Sequence, residues 1–432
     1  MEDIFTKKLS SKELIELEDK HGAHNYHPLP VVLSKGEGVH VWDVEGKKYF
    51  DFLSAYSAVN QGHCHPTITK ALTDQASRIT LTSRAFHNDI LGRYEAYATE
   101  YFGFDKLLPM NSGAEAVETA IKVCRKYAHE KKGVDENKAK IIVANNNFHG
   151  RTTTIVSFSN DEEARKDYGP YTPGFIQVPY NDTDALEKAL QEDNVAGFMV
   201  EPIQGEAGVV VPDDDYLAKA KELCHKNNAI FIADEIQTGI GRTGSLLASC
   251  GNCDCQGHCE RQEDTYVKPD ILILGKALSG GAYPVSAILA DDEIMLVIKP
   301  GQHGSTFGGN PLGAAVSHAA LEVIRDEKLT QNARELGEHF RSELQKFIDQ
   351  SDLVKLVRGK GLLNAIVVND SEESTTAWDL CVKMAENGLI AKPTHGNIIR
   401  FAPPLVMTKE QLDECISIIT NTISDFEKEW KK

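Results

Sequence analysis

The sequence has no apolar run that approaches the roughly 20 residues needed to cross a bilayer. Positive charge is also scarce, because 64 aspartates and glutamates outnumber 46 lysines and arginines and leave a net charge of −18. That excess disfavours nonspecific binding to nucleic acids or anionic membranes. The opening stretch MEDIFTKKLSSKE lacks the apolar core of a signal peptide and the Arg-rich, acid-poor composition of a transit peptide. We therefore expect a cytoplasmic protein with no nucleic-acid partner and no membrane partner.

Cysteine usage and chain length indicate the broad class of protein. Nine cysteines, an odd number in a chain of 432 residues, fit reduced thiols better than a disulfide framework. No internal repeat and no low-complexity linker interrupts the chain. Hydrophobic residues make up 41% of the sequence, which is enough to bury a sizeable core, and the length predicts two or three lobes.

From about residue 100, helical and strand-like patterns alternate along the chain. Apolar positions recur at helical spacing after Gly113, and aspartates at 213–215 offer caps to a helix predicted over 216–226. Short apolar runs indicate buried strands at 141–144, 198–200, 230–233 and 271–274. Strands separated by helices predict an α/β fold with a mainly parallel sheet.

The pattern changes near residue 315, where amphipathic helices at 312–325 and 329–347 lead to strand-like runs at 362–368 and 398–401. We predict three parts, namely an N-terminal segment packed beside the small domain, a large domain, and a smaller α+β domain, over residues 1–62, 63–314 and 315–432.

Glu201, Asp234 and Lys276 each stand at or just beyond the end of a predicted strand. In open α/β sheets, ligands bind outside the carboxyl ends of the strands, so we expect these side chains to meet at one site. Lys276 follows a buried strand, where burial would lower its pKa and free the amine as a nucleophile. Asp234 could hold a protonated ring nitrogen. The alternatives are a surface lysine, a helix-capping aspartate and an ordinary strand-end glutamate.

Two segments resemble phosphate sites. Ser112, Gly113 and Ala114 open a predicted helix, and a helix start with a glycine and a hydroxyl suits a phosphate group. Ser305 and Thr306, ahead of two glycines, form a second candidate contact. Either segment could equally be an ordinary glycine-rich cap.

Arg151 and Arg400 stand among apolar or aromatic neighbours in the sequence. Guanidinium groups in such places grip carboxylates through two parallel hydrogen bonds, although a structural salt bridge is the alternative. Taken together, a nucleophilic lysine, a carboxylate for a pyridinium, a helix-start phosphate cup and two carboxylate clamps describe pyridoxal-phosphate-dependent transamination.

Seven stretches carry a resemblance to a known family: GAHNYHPLPVV, FLSAYSAVNQGHCHP, VEPIQGEAGVVVP, FIADEIQTG, LILGKALSGG, HGSTFGGNPL and AKPTHGNIIRFAPPL. From about Gly22 to the C-terminus the chain resembles the class III, fold-type I aminotransferases, and within them the ornithine aminotransferases most. The resemblance implies pyridoxal 5'-phosphate as cofactor and a fold-type I architecture, with a large domain around a mainly parallel sheet and a smaller α+β domain.

The resemblance also implies roles around the cofactor. Lys276 would bind it covalently and later transfer the proton, while Asp234 would pair with the pyridine nitrogen. The other implied cofactor contacts are Phe148 and Ile236 on the two ring faces, Gln237 near the ring hydroxyl, Ser112, Gly113, Ala114 and Ser305 at the phosphate, Glu201, and His149, which replaces an aromatic residue of some relatives. Thr306 would reach the phosphate from a partner subunit, which implies an obligate homodimer and leaves a higher oligomer open.

For the substrates, the resemblance implies that Tyr26 and Arg151 hold the α-carboxylate end of ornithine while Glu206 pairs with Arg400. With 2-oxoglutarate, Arg400 would be released to its α-carboxylate, and Tyr56 would gate specificity. The implied reaction moves the δ-amino group of L-ornithine to 2-oxoglutarate and gives glutamate-5-semialdehyde, which cyclises to pyrroline-5-carboxylate, and glutamate. Alternatives are an acetylornithine or 4-aminobutyrate aminotransferase, a pyridoxal-phosphate-dependent racemase or decarboxylase, and a non-enzymatic interaction protein using a cysteine-rich loop.

That cysteine-rich stretch holds Cys250, Cys253, Cys255, His258 and Cys259, and it looks inserted relative to the usual family pattern. Its thiols are crowded into ten residues, unlike two well-separated CxxC pairs, and we predict no metal site there. Zinc binding, redox sensing and an inert surface loop remain alternative hypotheses for this stretch. His63-Cys64-His65 also mimics a ligand cluster but is expected to be a structural loop.

Overall fold

A computed structural model describes residues 5, 7–250 and 267–430 of the chain. The strands in chain order are β1 (Leu33–Glu37), β2 (His40–Asp43), β3 (Lys48–Asp51), β4 (Lys106–Met110), β5 (Lys140–Ala144), β6 (Phe175–Val178), β7 (Val195–Val200), β8 (Ile230–Asp234), β9 (Ile271–Leu274), β10 (Ser286–Ala290), β11 (Val354–Lys360), β12 (Leu363–Val368), β13 (Leu389–Ile390), β14 (Lys392–His395) and β15 (Ile398–Phe401).

The α-helices are α1 (Ser11–His21), α2 (Ser54–Ser57), α3 (Pro66–Ala76), α4 (Leu91–Phe102), α5 (Gly113–Lys131), α6 (Thr153–Val156), α7 (Glu162–Arg165), α8 (Thr183–Leu190), α9 (Tyr216–Lys226), α10 (Asp292–Met295), α11 (Pro311–Asp326), α12 (Leu329–Ile348), α13 (Thr376–Glu386) and α14 (Lys409–Trp430). Short 3₁₀ turns lie at Ala248–Cys250 and Lys276–Ser279. Among the residues described, no helix has both the length and the apolar character that a membrane crossing needs.

The central sheet has seven strands in the order β4-β10-β9-β8-β7-β5-β6. Neighbours from β9 to β6 pair in parallel, whereas β10 pairs antiparallel with both β4 and β9. Every residue of β7, β8 and β9 is buried, as expected for strands covered on both faces. The predicted α/β fold with a mainly parallel sheet is confirmed.

Two four-stranded sheets accompany it, in the orders β1-β2-β3-β13 and β11-β12-β15-β14. In the first, Phe50 of β3 pairs in parallel with Leu389 of β13, so strands from near the two ends of the chain share one sheet. The second is antiparallel throughout, and its strand β12 is buried along its whole length. The domain limits at residues 62 and 314 stay predictions.

The helix α9 begins and ends where the sequence pattern predicts, but the prediction that an aspartate side chain caps it is wrong. Asp215 is the N-cap residue, yet its side chain makes no capping hydrogen bond. Its carboxylate pairs instead with Lys219 Nζ, one turn along the helix, at 2.6 Å. Asp213 contributes only its backbone carbonyl, which accepts a hydrogen bond from the Tyr216 amide at 3.0 Å.

Arg242 is fully buried and joins distant parts of the chain. Its Nη1 donates to the backbone carbonyls of Leu362 at 2.9 Å and Pro403 at 2.6 Å. Its Nε and Nη2 donate to Asn60 Oδ1 at 3.1 and 2.6 Å, and Asn60 Nδ2 donates to the Ile240 carbonyl at 2.9 Å. Burial lowers the pKa of Arg242 to about 9, so these bonds offset the cost of removing its charge from water.

Replacing Arg242 with methionine should lower the free energy of unfolding by about 3 kcal/mol, because the buried carbonyls of Leu362 and Pro403 lose their donor. Chemical denaturation of the purified protein measures the change. The control is Arg78→Met, which removes an exposed ion pair with Asp89 and should change stability by no more than about 0.5 kcal/mol. Equal losses in the two variants would contradict the role of Arg242.

Candidate active site

The carboxyl ends of β7, β8 and β9 bring Glu201, Asp234 and Lys276 to one cavity of about 200 Å³. The cavity is lined by Gly113, Ala114, Phe148, His149, Gly150, Glu201, Glu206, Asp234, Ile236, Gln237, Thr238 and Lys276. The convergence follows from the sheet topology, since neighbouring parallel strands end at the same edge.

Lys276 follows β9 after one glycine and has a left-handed backbone, with φ at 45°. A non-glycine residue rarely adopts this conformation, and such strain is typical of functional sites. Burial lowers the pKa of the Lys276 amine, and the positive charge of Arg400 acts in the same direction, while the carboxylate of Glu206 opposes both. The amine is therefore closer to its neutral, nucleophilic form than an exposed lysine would be.

Asp234 is buried and bonded on both carboxylate oxygens. Its Oδ2 lies 2.6 Å from His149 Nδ1, and its Oδ1 accepts from the Ile236 amide at 3.1 Å. Burial alone would lower the pKa of His149, but the hydrogen bond and charge of Asp234 outweigh it and raise that pKa. The Nε2 atom of His149 is buried without a hydrogen-bond partner among the described residues.

Glu201 lies beside this pair and supports the neighbouring loop. Its Oε1 accepts from the Phe148 amide at 2.8 Å, and its backbone carbonyl accepts from Tyr180 Oη at 3.2 Å. Burial raises the pKa of Glu201 to about 7, an effect that the nearby His149 reduces and Asp234 increases. The carboxyl group therefore changes its charge near neutral pH.

The start of α5 forms one wall of the cavity. Ser112 and Glu115 make a capping box, in which Ser112 Oγ accepts from the Glu115 amide at 3.3 Å and Glu115 Oε2 accepts from the Ser112 amide at 2.7 Å. Ser112 itself does not line the cavity, whereas Gly113 and Ala114 do. A Cβ on Gly113 would lie 3.0 Å from Ile236 Cδ1, so glycine allows this close approach.

Glu206 links the cavity to the antiparallel sheet that contains β15. Its Oε1 accepts from Arg400 Nη1 at 2.6 Å and from Gln237 Nε2 at 3.0 Å. Burial by itself would raise the pKa of Glu206, but the charges of Arg400 and Lys276 lower it to about 2. The Glu206 carboxylate therefore stays ionised at neutral pH and neutralises Arg400.

Tyr56 lies 5.1 Å from Arg400, measured from the ring centroid to Cζ. It belongs to α2, which is a left-handed turn, because all four of its residues have φ between 47° and 69°. Asp51 stabilises the entry to this turn, since its Oδ1 accepts from the amides of Leu53 at 2.8 Å and Ser54 at 2.9 Å. Burial raises the pKa of Tyr56, so its hydroxyl stays protonated.

Besides Ser112, Tyr56 and Arg400, four predicted site residues do not line the cavity. Arg151 is exposed, with its Cζ 5.7 Å from the Phe148 ring, and Tyr26 is 71% exposed near Lys392 Nζ, which lies 5.8 Å from its ring. Ser305 Oγ accepts from Asn111 Nδ2 at 2.8 Å. The fourth residue, Thr306, is exposed beside it.

Sequence reasoning missed two residues of the cavity wall, Gly150 and Thr238. Gly150 has φ at 123°, and a Cβ there would lie 3.0 Å from that of Ala114. Thr238 Oγ1 donates to Glu235 Oε2 at 2.5 Å. Their only sequence signal was adjacency, since each directly follows a predicted cofactor contact.

The described residues contain no cluster of three or more side chains that could hold a metal ion. His63 Nε2 lies 2.7 Å from Asp51 Oδ2, and His65 Nε2 lies 2.9 Å from Glu327 Oε1, so both imidazoles have structural partners. The cysteine-rich stretch, apart from buried Cys250, lies outside the described residues.

A buried lysine with a lowered pKa, a buried carboxylate and the amides of a helix start could together hold an aldehyde cofactor with an anionic group. The comparisons agree: the chain belongs to the class-III aminotransferase family, whose model matches residues 21–423. Two of its relatives are the mitochondrial ornithine aminotransferases of Drosophila ananassae and Rattus norvegicus, at 61% and 55% identity. These matches cover 96% and 98% of this chain and 91% and 94% of the relatives.

Two solved structures extend the similarity. The ornithine aminotransferase of Toxoplasma gondii matches with a TM-score of 0.94 at 46% identity, over 99% of this chain and 97% of that one. An acetylornithine aminotransferase from Elizabethkingia anophelis matches with a TM-score of 0.87 at 64% identity, over 96% of this chain and 99% of that one. The fold-type prediction is thereby confirmed.

The predicted cytoplasmic location is wrong. Relatives from two Drosophila species, rat and Caenorhabditis elegans, between 54% and 61% identical to this chain, are named as mitochondrial proteins. The prediction depended on the composition of thirteen residues, and a compartment is set by targeting signals rather than by the folded enzyme that these proteins share.

The raised pKa of Glu201 predicts a pH-dependent difference between the wild type and Glu201→Gln. The folded state favours the neutral form of the Glu201 carboxyl. The contribution of this group to the free energy of unfolding is therefore complete below pH 4.5 and is lost as pH rises through about 7. The glutamine is always neutral, so the stability of the variant relative to wild type should rise by about 2 kcal/mol between pH 5 and pH 8. Denaturation of cofactor-free protein at both pH values measures this, and a constant difference would contradict it.

Proposed function

We propose that this chain is a pyridoxal-phosphate-dependent ornithine δ-aminotransferase. It would move the δ-amino group of L-ornithine to 2-oxoglutarate and give glutamate-5-semialdehyde, which cyclises to pyrroline-5-carboxylate, and glutamate. The observation that carries the proposal is the meeting of Lys276, Asp234 and the Glu206–Arg400 pair at one cavity. Relatives named ornithine aminotransferase at 52–61% identity support the choice of substrate.

The residues at the cavity fit pyridoxal 5'-phosphate. Gly113 and Ala114 are the first residues of α5, and amides in the first turn of a helix have no intrahelical acceptor, which suits a phosphate. Asp234 provides a carboxylate for a protonated ring nitrogen, and Phe148 and Ile236 provide apolar surfaces for the ring. The Toxoplasma gondii enzyme was found with partial occupancy of this cofactor at its active site.

When bound, pyridoxal phosphate supplies an aldehyde for the amino group and a ring that withdraws electrons from the bond to be broken. The protein controls the protons. Asp234, held in place by its contact with His149, would hold a proton on the ring nitrogen. Lys276, whose pKa burial lowers, can act first as the nucleophile and then as the group that carries the proton. Gln237 would lie near the ring hydroxyl.

We assign the substrate carboxylates to two arginines. Arg151 and Tyr26 would hold the α-carboxylate end of ornithine, while Glu206 keeps Arg400 paired and unavailable. When 2-oxoglutarate binds, its α-carboxylate would take Arg400 from Glu206, and Arg151 would bind the distal carboxylate. The carboxylate of 2-oxoglutarate can replace that of Glu206, because each makes charged hydrogen bonds of similar strength to Arg400.

We further propose a homodimer with shared active sites. Thr306 and Phe307 are both exposed on the loop before α11, and Thr306 does not reach the cavity of its own chain. A partner subunit would then receive Thr306, with Ser305 beside it, at its phosphate group. A higher oligomer stays open.

A second candidate is an acetylornithine aminotransferase, favoured by the Elizabethkingia anophelis structure at 64% identity. The two activities would share the cofactor machinery and differ in whether the α-amino group of the substrate carries an acetyl group. Tyr56, packed over Arg400, is the described residue that would limit the space available near the substrate.

The absorbance spectrum of the purified holoenzyme distinguishes these candidates. Ornithine alone should remove the absorbance band of the bound cofactor aldehyde, and 2-oxoglutarate should restore it, because the two half-reactions occur in turn. N-acetylornithine should act much more slowly. A colourless protein, or a band that responds only to the acetylated substrate, would contradict the proposal.

Replacing Tyr56 with isoleucine should raise activity on 4-aminobutyrate relative to ornithine by about tenfold, because the pocket loses its phenol beside Arg400. The ratio of kcat/KM for the two substrates measures the change. Tyr168→Ile removes an exposed tyrosine and should leave the ratio unchanged. The same ratio in wild type and Tyr56→Ile would contradict a gating role.

A further inference from the structure

His303 connects the loop before α11 to the middle of α5. Its Nε2 lies 2.8 Å from Thr119 Oγ1, and its Nδ1 lies 2.9 Å from Lys122 Nζ. Thr119 and Lys122 are three positions apart on α5 and so face the same side of the helix. We call this pair of contacts the His303 clasp.

The hydrogen-bond donors allow one protonation state of the clasp. The Thr119 hydroxyl donates its only hydrogen to the Glu115 carbonyl at 2.7 Å, so it must accept from His303 Nε2. His303 Nδ1 then has no hydrogen and accepts from the Lys122 ammonium. Burial lowers the pKa of His303, and the charge of Lys122 acts in the same direction, which agrees with a neutral imidazole.

The clasp lies beside the exposed end of the loop. Ser305 Oγ accepts from Asn111 Nδ2 at 2.8 Å and from the Gly308 amide at 3.2 Å, which ties the loop to the residue before the α5 cap. Thr306 and Phe307, between these ties, stay exposed. The loop is therefore attached to α5 just before the residues that it presents to its surroundings, and the Gly308 bond closes the turn that contains them.

The helix α5 connects two sites through these contacts. Its first residues, Gly113 and Ala114, line the cavity of their own chain, and the clasp lies about one and a half to two and a half turns further along. A packed helix behaves as a rigid body, so a displacement at one point along it also displaces the groups attached to it elsewhere. The loop held by α5, however, does not line that same cavity.

We propose that His303 is a positioning residue for the cofactor of the partner subunit: by holding the 303–308 loop on α5, it sets where Thr306 meets the partner's phosphate. The inference rests on the proposed homodimer with shared sites and adds a residue that contacts neither cofactor nor substrate. Its consequence is that loss of His303 weakens the site of the other chain and leaves the site of its own chain loaded.

Hybrid dimers with one wild-type chain and one His303→Ala chain, carrying tags of different mass, test this directly. Cofactor is removed, limiting pyridoxal phosphate is added back, borohydride makes the linkage permanent, and mass spectrometry shows which chain is labelled. The label should favour the His303→Ala chain by about tenfold, because its site receives the intact loop, whereas the wild-type chain receives the altered loop.

The controls separate positioning from general damage. His303→Gln offers an amide donor to Thr119 and a carbonyl to Lys122, so it should restore nearly equal labelling. Lys122→Met should give the same unequal labelling of the two chains in a weaker form. This variant is used in place of His303→Ala if the His303→Ala chain does not fold. Lys126→Met, one turn further along α5 and paired with Glu130, should leave labelling equal.

Preferential labelling of the wild-type chain, or equal labelling of both chains, would overturn the inference, as would a protein that stays monomeric. Failure of the proposed function looks different. In that case, wild-type homodimers take up no borohydride-fixed cofactor at all.

Discussion

The Lys276 amine is held where burial favours its neutral form and nearby charges of both signs adjust it. Burial and Arg400 disfavour the ammonium, while Glu206 and Asp234 favour it. If the amine were only buried, it would rarely hold a proton and so would carry one poorly. If it were only surrounded by carboxylates, it would stay permanently charged. The rest of the structure serves this balance, because it brings the charged groups to the end of β9.

Those charges come from separate parts of the chain. Arg400 lies on β15 of an antiparallel sheet, whereas Glu206 follows β7 of the parallel sheet, and their 2.6 Å contact joins the two. Arg242 makes a similar connection between Asn60 and backbone carbonyls near the C-terminal strands. The cavity therefore depends on the correct packing of both sheets, so mutations far from the amine can change its chemistry.

Local signals made the central fold and the strand-end residues predictable from the sequence. Apolar runs indicate buried strands, and neighbouring parallel strands end at the same edge of a sheet. These two facts predicted that Glu201, Asp234 and Lys276 would meet at one site. The left-handed turn that carries Tyr56 was not predictable, because φ is positive at successive non-glycine residues and Asp51 stabilises the turn from the preceding strand. The contacts of His149 and His303 also depend on tertiary packing across 85 and about 180 residues.

The central claim is that the amine at the end of β9 holds the cofactor aldehyde. The most direct measurement is borohydride reduction of the wild-type holoenzyme, followed by digestion and mass spectrometry of the lysine-containing peptides. The account predicts that the pyridoxyl phosphate mass is found on the peptide containing Lys276. A label on any other lysine, or no label in a protein that converts ornithine, would contradict it.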